Sequence, residues 1–364
     1  MEYTQAVTEE GFAAIEDFVG ARSATMPTER LTEVRKRGEA FRERFLDQPI
    51  LPYFASFDLL RIPYPRSFAY GGVYAQSLGL QRLVQILNRV FVIQFQDFNG
   101  KLKTLLFSPS DHFASETPYF ERIEASFPKW VIDILAPRYN SVESVLEKLA
   151  LKPEQIDYIS YDHLHTQNLR RWLGTPDENP VFPNAKLLVH DSEWASTKGL
   201  LPTQADWYST EGIEGVSEDK IFKFRDSLHL GPGIALLHTP GHTYGNHSLV
   251  ARVPDGIRIS SENGVASDSY APRNSRRKAI RTFAEATGAE VILNSNTLES
   301  SVDQYISMVL EATIAGPSQN SDFPNVTPSS ECVPHVLFPG SGATHLFGTA
   351  DFGTLTHRCD SNRN

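Results

Sequence analysis

Asp162-His163-Leu164-His165-Thr166-Gln167-Asn168 and, further along, Leu237-His238-Thr239-Pro240-Gly241-His242 are the two stretches that decide how this chain is read. The first follows Ile156-Asp157-Tyr158-Ile159-Ser160-Tyr161, an apolar-rich run that reads as a strand. Two histidines at i and i+2 turn together into one pocket where such a chain leaves its sheet. A third histidine, placed after a Pro-Gly turn that itself follows a second strand, closes the set. Three neutral imidazoles with an open fourth position are the ligands of a catalytic zinc, because a bound water can then be activated.

Both stretches resemble the metallo-β-lactamase-like hydrolase superfamily, whose usual motifs are His-x-His-x-Asp-His on a strand-to-helix turn and then Thr-Pro-Gly-His. The resemblance runs over roughly residues 55 to 315, judged by motif order and element pattern. It implies an α/β chain folded as a four-layer αββα metallo-β-lactamase-like sandwich, with His163, His165 and His242 as the first metal site. The family's second site needs an Asp and two further His, and those places hold Gln167, Asn168 and Asn296. Amides offer a metal only a neutral carbonyl oxygen. One metal per chain is therefore expected, zinc, with iron as the alternative.

Two carboxylates join the histidines. Glu262 stands where the family has its bridging Asp and is one methylene longer, so it is a candidate fourth ligand or base. Asp162 precedes the first histidine where relatives commonly have Thr or Ser. It could bind the metal, orient an imidazole, or accept a proton from the water. Asn168, Asn263 and Asn296 are candidate hydrogen-bond donors to a substrate or its leaving group. Arg171 suits an anion and Trp172 suits stacking, although helix packing is the plainer account of both.

The implied function is hydrolysis of a small-molecule substrate by metal-activated water. Within the superfamily the esterase and lactonase branches and the chlorothalonil type of hydrolytic dehalogenase are similar. Two other classes stay open: a persulfide-type mononuclear iron dioxygenase using His163, His242 and Glu262, and a non-catalytic binding protein on the same fold.

Composition narrows the field. A formal charge of −10 on 364 residues supplies no basic field for nucleic acid. No apolar run is long enough to span a bilayer. The stretch Met1-Glu2-Tyr3-Thr4-Gln5 lacks the pattern of a signal peptide, and Cys332 and Cys359 are the only cysteines, so reduced thiols and a cytoplasmic location are expected.

The segments divide as an N-terminal helical arm (1–50), the sandwich (51–315) and a C-terminal extension (316–364). Residues 8–47 read as two helices. Val90–Phe95 and Leu102–Phe107 read as a hairpin turning at Asp97-Phe98-Asn99-Gly100, because Asn-Gly tolerates positive φ. Ser141–Leu149, Gln167–Leu173 and Val302–Ala315 read as helices, and Val291–Asn296 as the last core strand. The apolar residues of the arm and tail should dock on the body or on a second copy, which admits a homodimer.

Overall fold

The computed structural model describes residues 2–71, 83–113, 117–294, 300–335, 340 and 342–358. Its strands are β1 (Ala13–Ile15), β2 (Tyr53–Pro65), β3 (Leu83–Gln96), β4 (Leu102–Phe107), β5 (Tyr158–Ser160), β6 (Lys186–His190), β7 (Ile221–Phe224), β8 (Ser227–Gly231), β9 (Ile234–His238), β10 (His247–Val253), β11 (Gly256–Ser260), β12 (Ser330–Val333) and β13 (Asp351–Gly353). Its helices are α1 (Glu2–Glu10), α2 (Pro27–Leu46), α3 (Pro118–Ser126), α4 (Lys129–Leu135), α5 (Val142–Lys148), α6 (Leu169–Leu173), α7 (Asp191–Thr197), α8 (Pro202–Ala205), α9 (Ser267–Tyr270), α10 (Lys278–Thr287) and α11 (Ser301–Ala315).

Successive side chains of a strand point to opposite faces, and β3 shows what that does here. Phe91, Ile93 and Phe95 enter one apolar cluster with Leu228, Leu236 and Leu249, the filling between two sheets. Val90 and Val92 enter another with Val145, Leu146 and Trp172, where helices cover the outer face. On the far side Ala235, Leu237, Val250 and Ile259 pack against Phe41, Phe45, Leu310 and Ile314 of α2 and α11. The result is four layers, helices on sheet on sheet on helices. Each large side chain buried this way contributes about 1.5–3 kcal/mol on leaving water.

The smaller sheet runs β1-β8-β9-β10-β11 and the larger runs β13-β2-β3-β4-β5-β6-β7. β4 is shorter than β3, and β12 pairs with the length of β3 that β4 leaves open, Ser330 opposite Asn88 and Val333 opposite Gln85. The tail thereby satisfies strand groups that would otherwise form an exposed edge. β13 adds to β2 in the same way. From the other terminus, β1 pairs with β8 and α2 lies along α11, where the Arg42 guanidinium donates at 2.6 Å to the last carbonyls of α11, Ile314 and Ala315. Those carbonyls have no partner within the helix.

Two expectations are corrected. Residues 8–47 hold one long helix: the first helix ends at Glu10, Gly11 turns at φ +85°, and Ala13–Ile15 leaves as a strand because the edge of β8 is open to it. Val291, Ile292 and Asn294 are buried and Leu293 partly so, but the stretch is not a strand, since its backbone partners lie in α9 and a loop: Ile292 N–H donates to the Ser269 carbonyl and Gly71 N–H to the Leu293 carbonyl. The hairpin at Asp97 to Gly100 and the helices at 142–148 and 301–315 stand where the pattern put them. No helix among the described residues is long and apolar enough to cross a membrane.

Candidate metal centre

Three strands deliver the histidines and acids to one place. β5 ends at Ser160 and the chain turns through Asp162, His163 and His165; β9 ends at His238 and the Pro-Gly turn brings His242; β11 ends at Ser260, two residues before Glu262. His247 N–H on β10 donates 2.9 Å to the Asp162 carbonyl, locking the first turn to the opposite sheet. Ring centroids of His163 lie 4.6 Å from His165 and 4.4 Å from His242, and one ligand nitrogen of each lies within 4.8 Å of the others. Asp162, His163 and Glu262 form a second, overlapping group. Glu262 Oε2 is 3.5 Å from His163 Nε2.

Asp162 Oδ1 accepts from His163 Nδ1–H at 2.9 Å, which directs Nε2 inward. Carboxylate support of this kind fixes the tautomer and raises ligand basicity. Burial holds His165 and His242 well below the ordinary histidine pKa, with the neighbouring histidines adding to it, so both are neutral with lone pairs available. Burial also opposes charge on His163, but Asp162 and Glu262 outweigh it and lift that pKa to about 9. Glu262 is pushed up to about 8, first by burial and then by the Asp162 charge. A pocket with two crowded acids and two neutral imidazoles favours a positive charge at its centre.

Two further buried acids hold the turns. Glu193 on α7 accepts from Leu164 N–H at 2.8 Å and from the Thr243 hydroxyl at 2.6 Å, so one carboxylate ties the first histidine turn to the second. Gly245 passes so close that a Cβ there would lie 2.1 Å from the Glu193 nitrogen. Glu311 on α11 accepts from Ser248, Ser261, Asn263 and Tyr270, at 2.7 to 2.9 Å. Burial raises the pKa of both acids against the effect of these donors.

Two sheets, helices outside them, and the His-x-His and Pro-Gly-His turns meeting at strand ends decide the architecture. The architecture is the four-layer αββα sandwich that the resemblance implied. A stretch of 109 residues is 28% identical to an N-acyl homoserine lactonase of a Bacillus species, and the match spans 30% of this chain and 38% of that relative. The hydrolase AbOPH of the β-lactamase superfamily superposes at 13% identity and a TM-score of 0.48, covering 85% of this chain and 100% of that one. A probable metal-dependent hydrolase from Staphylococcus aureus does so at 13% identity and 0.48, covering 73% and 84%. The dizinc lactonase AidC does so at 11% identity and 0.47, covering 86% and 98%. No protein-family model matches the chain.

Within this four-layer frame the residues singled out in the sequence separate into two sets. Asp162, His163, His165, His242 and Glu262 all line one cavity of about 60 Å³. Among the described residues, Trp172, Arg171, Asn168 and Asn263 do not line it. Trp172 is fully buried against Phe182, ring centroids 5.0 Å apart, because α6 turns its apolar side to the core. Arg171 pairs with Glu143 and lies over the Trp172 ring at 5.2 Å. Asn168 is the residue preceding α6. Asn263 is a buried brace: its Oδ1 accepts from His242 N–H at 2.9 Å and its amide donates to Thr239 and Glu311. Asn296 lies outside the described residues.

The cavity also recruits residues that sequence reasoning missed. Asn294 places its amide nitrogen 3.4 Å from His242 Nδ1 and 3.2 Å from the Glu262 carbonyl. Ser108, just past β4, is 4% exposed, sits at φ +54°, lines the cavity, and its hydroxyl has no partner among the described residues. A non-glycine residue in that backbone region is strained, and such outliers gather at working sites. Tyr64, Phe68 and Trp207 form an aromatic wall, with Phe68 and Trp207 at 4.6 Å. The overlooked signal at Ser108 was its place directly after a core strand.

Proposed function

We propose that this chain is a metal-dependent hydrolase of a small-molecule substrate, working with one divalent ion, zinc by preference. The convergence of three imidazoles and two carboxylates on a single small cavity carries the reading. His163, His165 and His242 would hold the ion, with Glu262 beside it. Bound zinc polarises a carbonyl and makes water a nucleophile at neutral pH. Asp162 keeps His163 oriented and negative charge close at hand. Glu262, at 13% side-chain exposure against 4% for Asp162, is the more accessible of the two carboxylates and the candidate acceptor of the water's proton. The Ser108 hydroxyl supplies a donor for a developing oxyanion or leaving group.

One ion is favoured over two by the chemistry of the neighbouring side chains. Gln167 spends its amide on the His165 carbonyl and the Thr166 hydroxyl and accepts from Ser110, and Asn168 stands at the helix end. The aromatic wall suits the apolar part of an ester, a lactone or an aryl halide. The Bacillus relative is a lactonase, which puts lactones first in a screen. Turnover should be seen with zinc-loaded protein, abolished by a chelator and by His163→Ala, and restored by zinc only in the parent chain. A parent chain that takes up zinc yet hydrolyses none of the three classes would contradict the hydrolase reading and return the choice to a binding protein.

A further inference from the structure

We infer that Ser329, from the C-terminal extension, is a positioning residue of the metal centre: its hydroxyl holds Asp162 in the orientation that fixes His163. The inference rests on the metal-binding reading above and adds a part of the chain outside the region that carries the motifs. Ser329 is 3% exposed and lines the metal cavity. Its Oγ–H donates to Asp162 Oδ2 at 2.7 Å, while Glu262 Oε1 is 3.4 Å away. A hydroxyl has one proton, so it serves one carboxylate at a time, and Asp162 is the closer. The two oxygens of Asp162 are thus used in opposite directions, Oδ1 by His163 and Oδ2 by Ser329. The serine also stands between two acids that repel each other.

The backbone around Ser329 is set independently of that hydroxyl. Arg89 N–H on β3 donates 2.8 Å to the Ser329 carbonyl, and β12 begins at the next residue. Glu331, fully buried, pairs with the Arg89 guanidinium at 2.6 Å, and Arg89 also holds Asp58 at 2.8 Å. Cys332 N–H donates to the Val265 carbonyl. The strand therefore needs nothing from the serine side chain, and the hydroxyl is directed at the two acids alone. Removing it leaves Asp162 Oδ2 facing Glu262 without a donor. The Asp162 carboxylate is then held through Oδ1 alone, by the His163 backbone N–H at 3.0 Å and Nδ1–H at 2.9 Å, and is freer to leave the orientation that presents Nε2.

Full-length parent, Ser329→Ala, Ser329→Thr and His163→Ala, each stripped of metal, would be titrated with zinc against a chromophoric chelator, and their metal-free melting temperatures measured. Ser329→Ala should bind zinc about 10- to 100-fold more weakly, the range for loss of an outer partner of a ligand. Its metal-free melting temperature should stay near that of the parent, and Ser329→Thr, which keeps a hydroxyl, should recover most of the affinity. Parent-like zinc affinity in Ser329→Ala would overturn the inference while leaving the metal site intact. So would a weakening that tracks a fall in melting temperature and is not recovered by Thr. Failure of the parent itself to bind zinc would instead remove the proposed function, and this inference with it.

Discussion

His163 is the residue on which most of the site's connections meet, and its surroundings show what a single position can and cannot reveal. Its spacing to His165, and the Pro-Gly before His242, were legible because a strand end forces i and i+2 together. Asp162 and Glu262 were legible as acids belonging with the histidine motifs. Glu193, Ser329 and Ser108 were not, because each reaches the cavity or the turns around it from a distant segment and none carries a local pattern. Trp172 and Arg171 follow the plainer of their two accounts: residue types suited to a ligand, turned by their helix into packing. Trp172→Ala should accordingly cost about 3–5 kcal/mol of stability, the range for deleting a buried aromatic, measured by urea unfolding. A loss of substrate affinity with unchanged stability would restore it to the pocket. Ser108→Ala should leave the melting temperature unchanged and lower kcat by about tenfold or more if its hydroxyl faces developing charge. Ser108→Gly relieves the positive φ as well, so it should melt no lower than the parent while showing the same kinetic loss. Unaltered kcat in both variants would assign Ser108 to structure alone.

Elements were read more securely than their joins. Periodicity and turn chemistry located α5, α11 and the β3–β4 hairpin, since local residues suffice for each. The short strands β1, β12 and β13 exist only because a longer strand offers an unpaired edge, so no local pattern announces them. The segment ending at Asn294 shows the converse, for its apolar run suggested a strand but its backbone is paired to α9 and a loop. The arm is tied to the body by α2, and Arg42 is the clearest single tie. Arg42→Ala should lower unfolding stability by about 2 kcal/mol, since two buried carbonyls lose charged donors. Denaturant titration measures it. A change within about 0.5 kcal/mol, typical of surface substitutions, would mean that water replaces the guanidinium at the end of α11.

At the scale of the whole molecule, sheet and helix layers, motif order and the absence of a basic field could all be anticipated, whereas the electrostatic balance of the interior could not. His190, His238 and His247 cluster between the sheets, His190 and His238 stacked at 3.8 Å. Burial, helped by their mutual proximity, depresses His247 to about 3 and lowers His190 strongly. Burial likewise takes His238 to about 4. A histidine whose folded pKa is depressed keeps its full stabilising contribution above its unfolded pKa, about 6.5, and loses it as pH falls below that value. The urea midpoint should therefore drop between pH 7 and pH 5, and the drop should shrink in His238→Gln. An unchanged pH slope in that variant would show that the cluster takes up protons while folded. Zinc should act on the whole fold too, raising stability by about 2.7 kcal/mol when present at a hundred times its dissociation constant. The most direct measurement is metal content per chain by elemental analysis, on protein prepared without chelator and after zinc addition, with His163→Ala alongside. About one zinc per parent chain, lost in the variant, is the expected result; no stoichiometric uptake by the parent, or retention of the full content by His163→Ala, would contradict the single-metal centre.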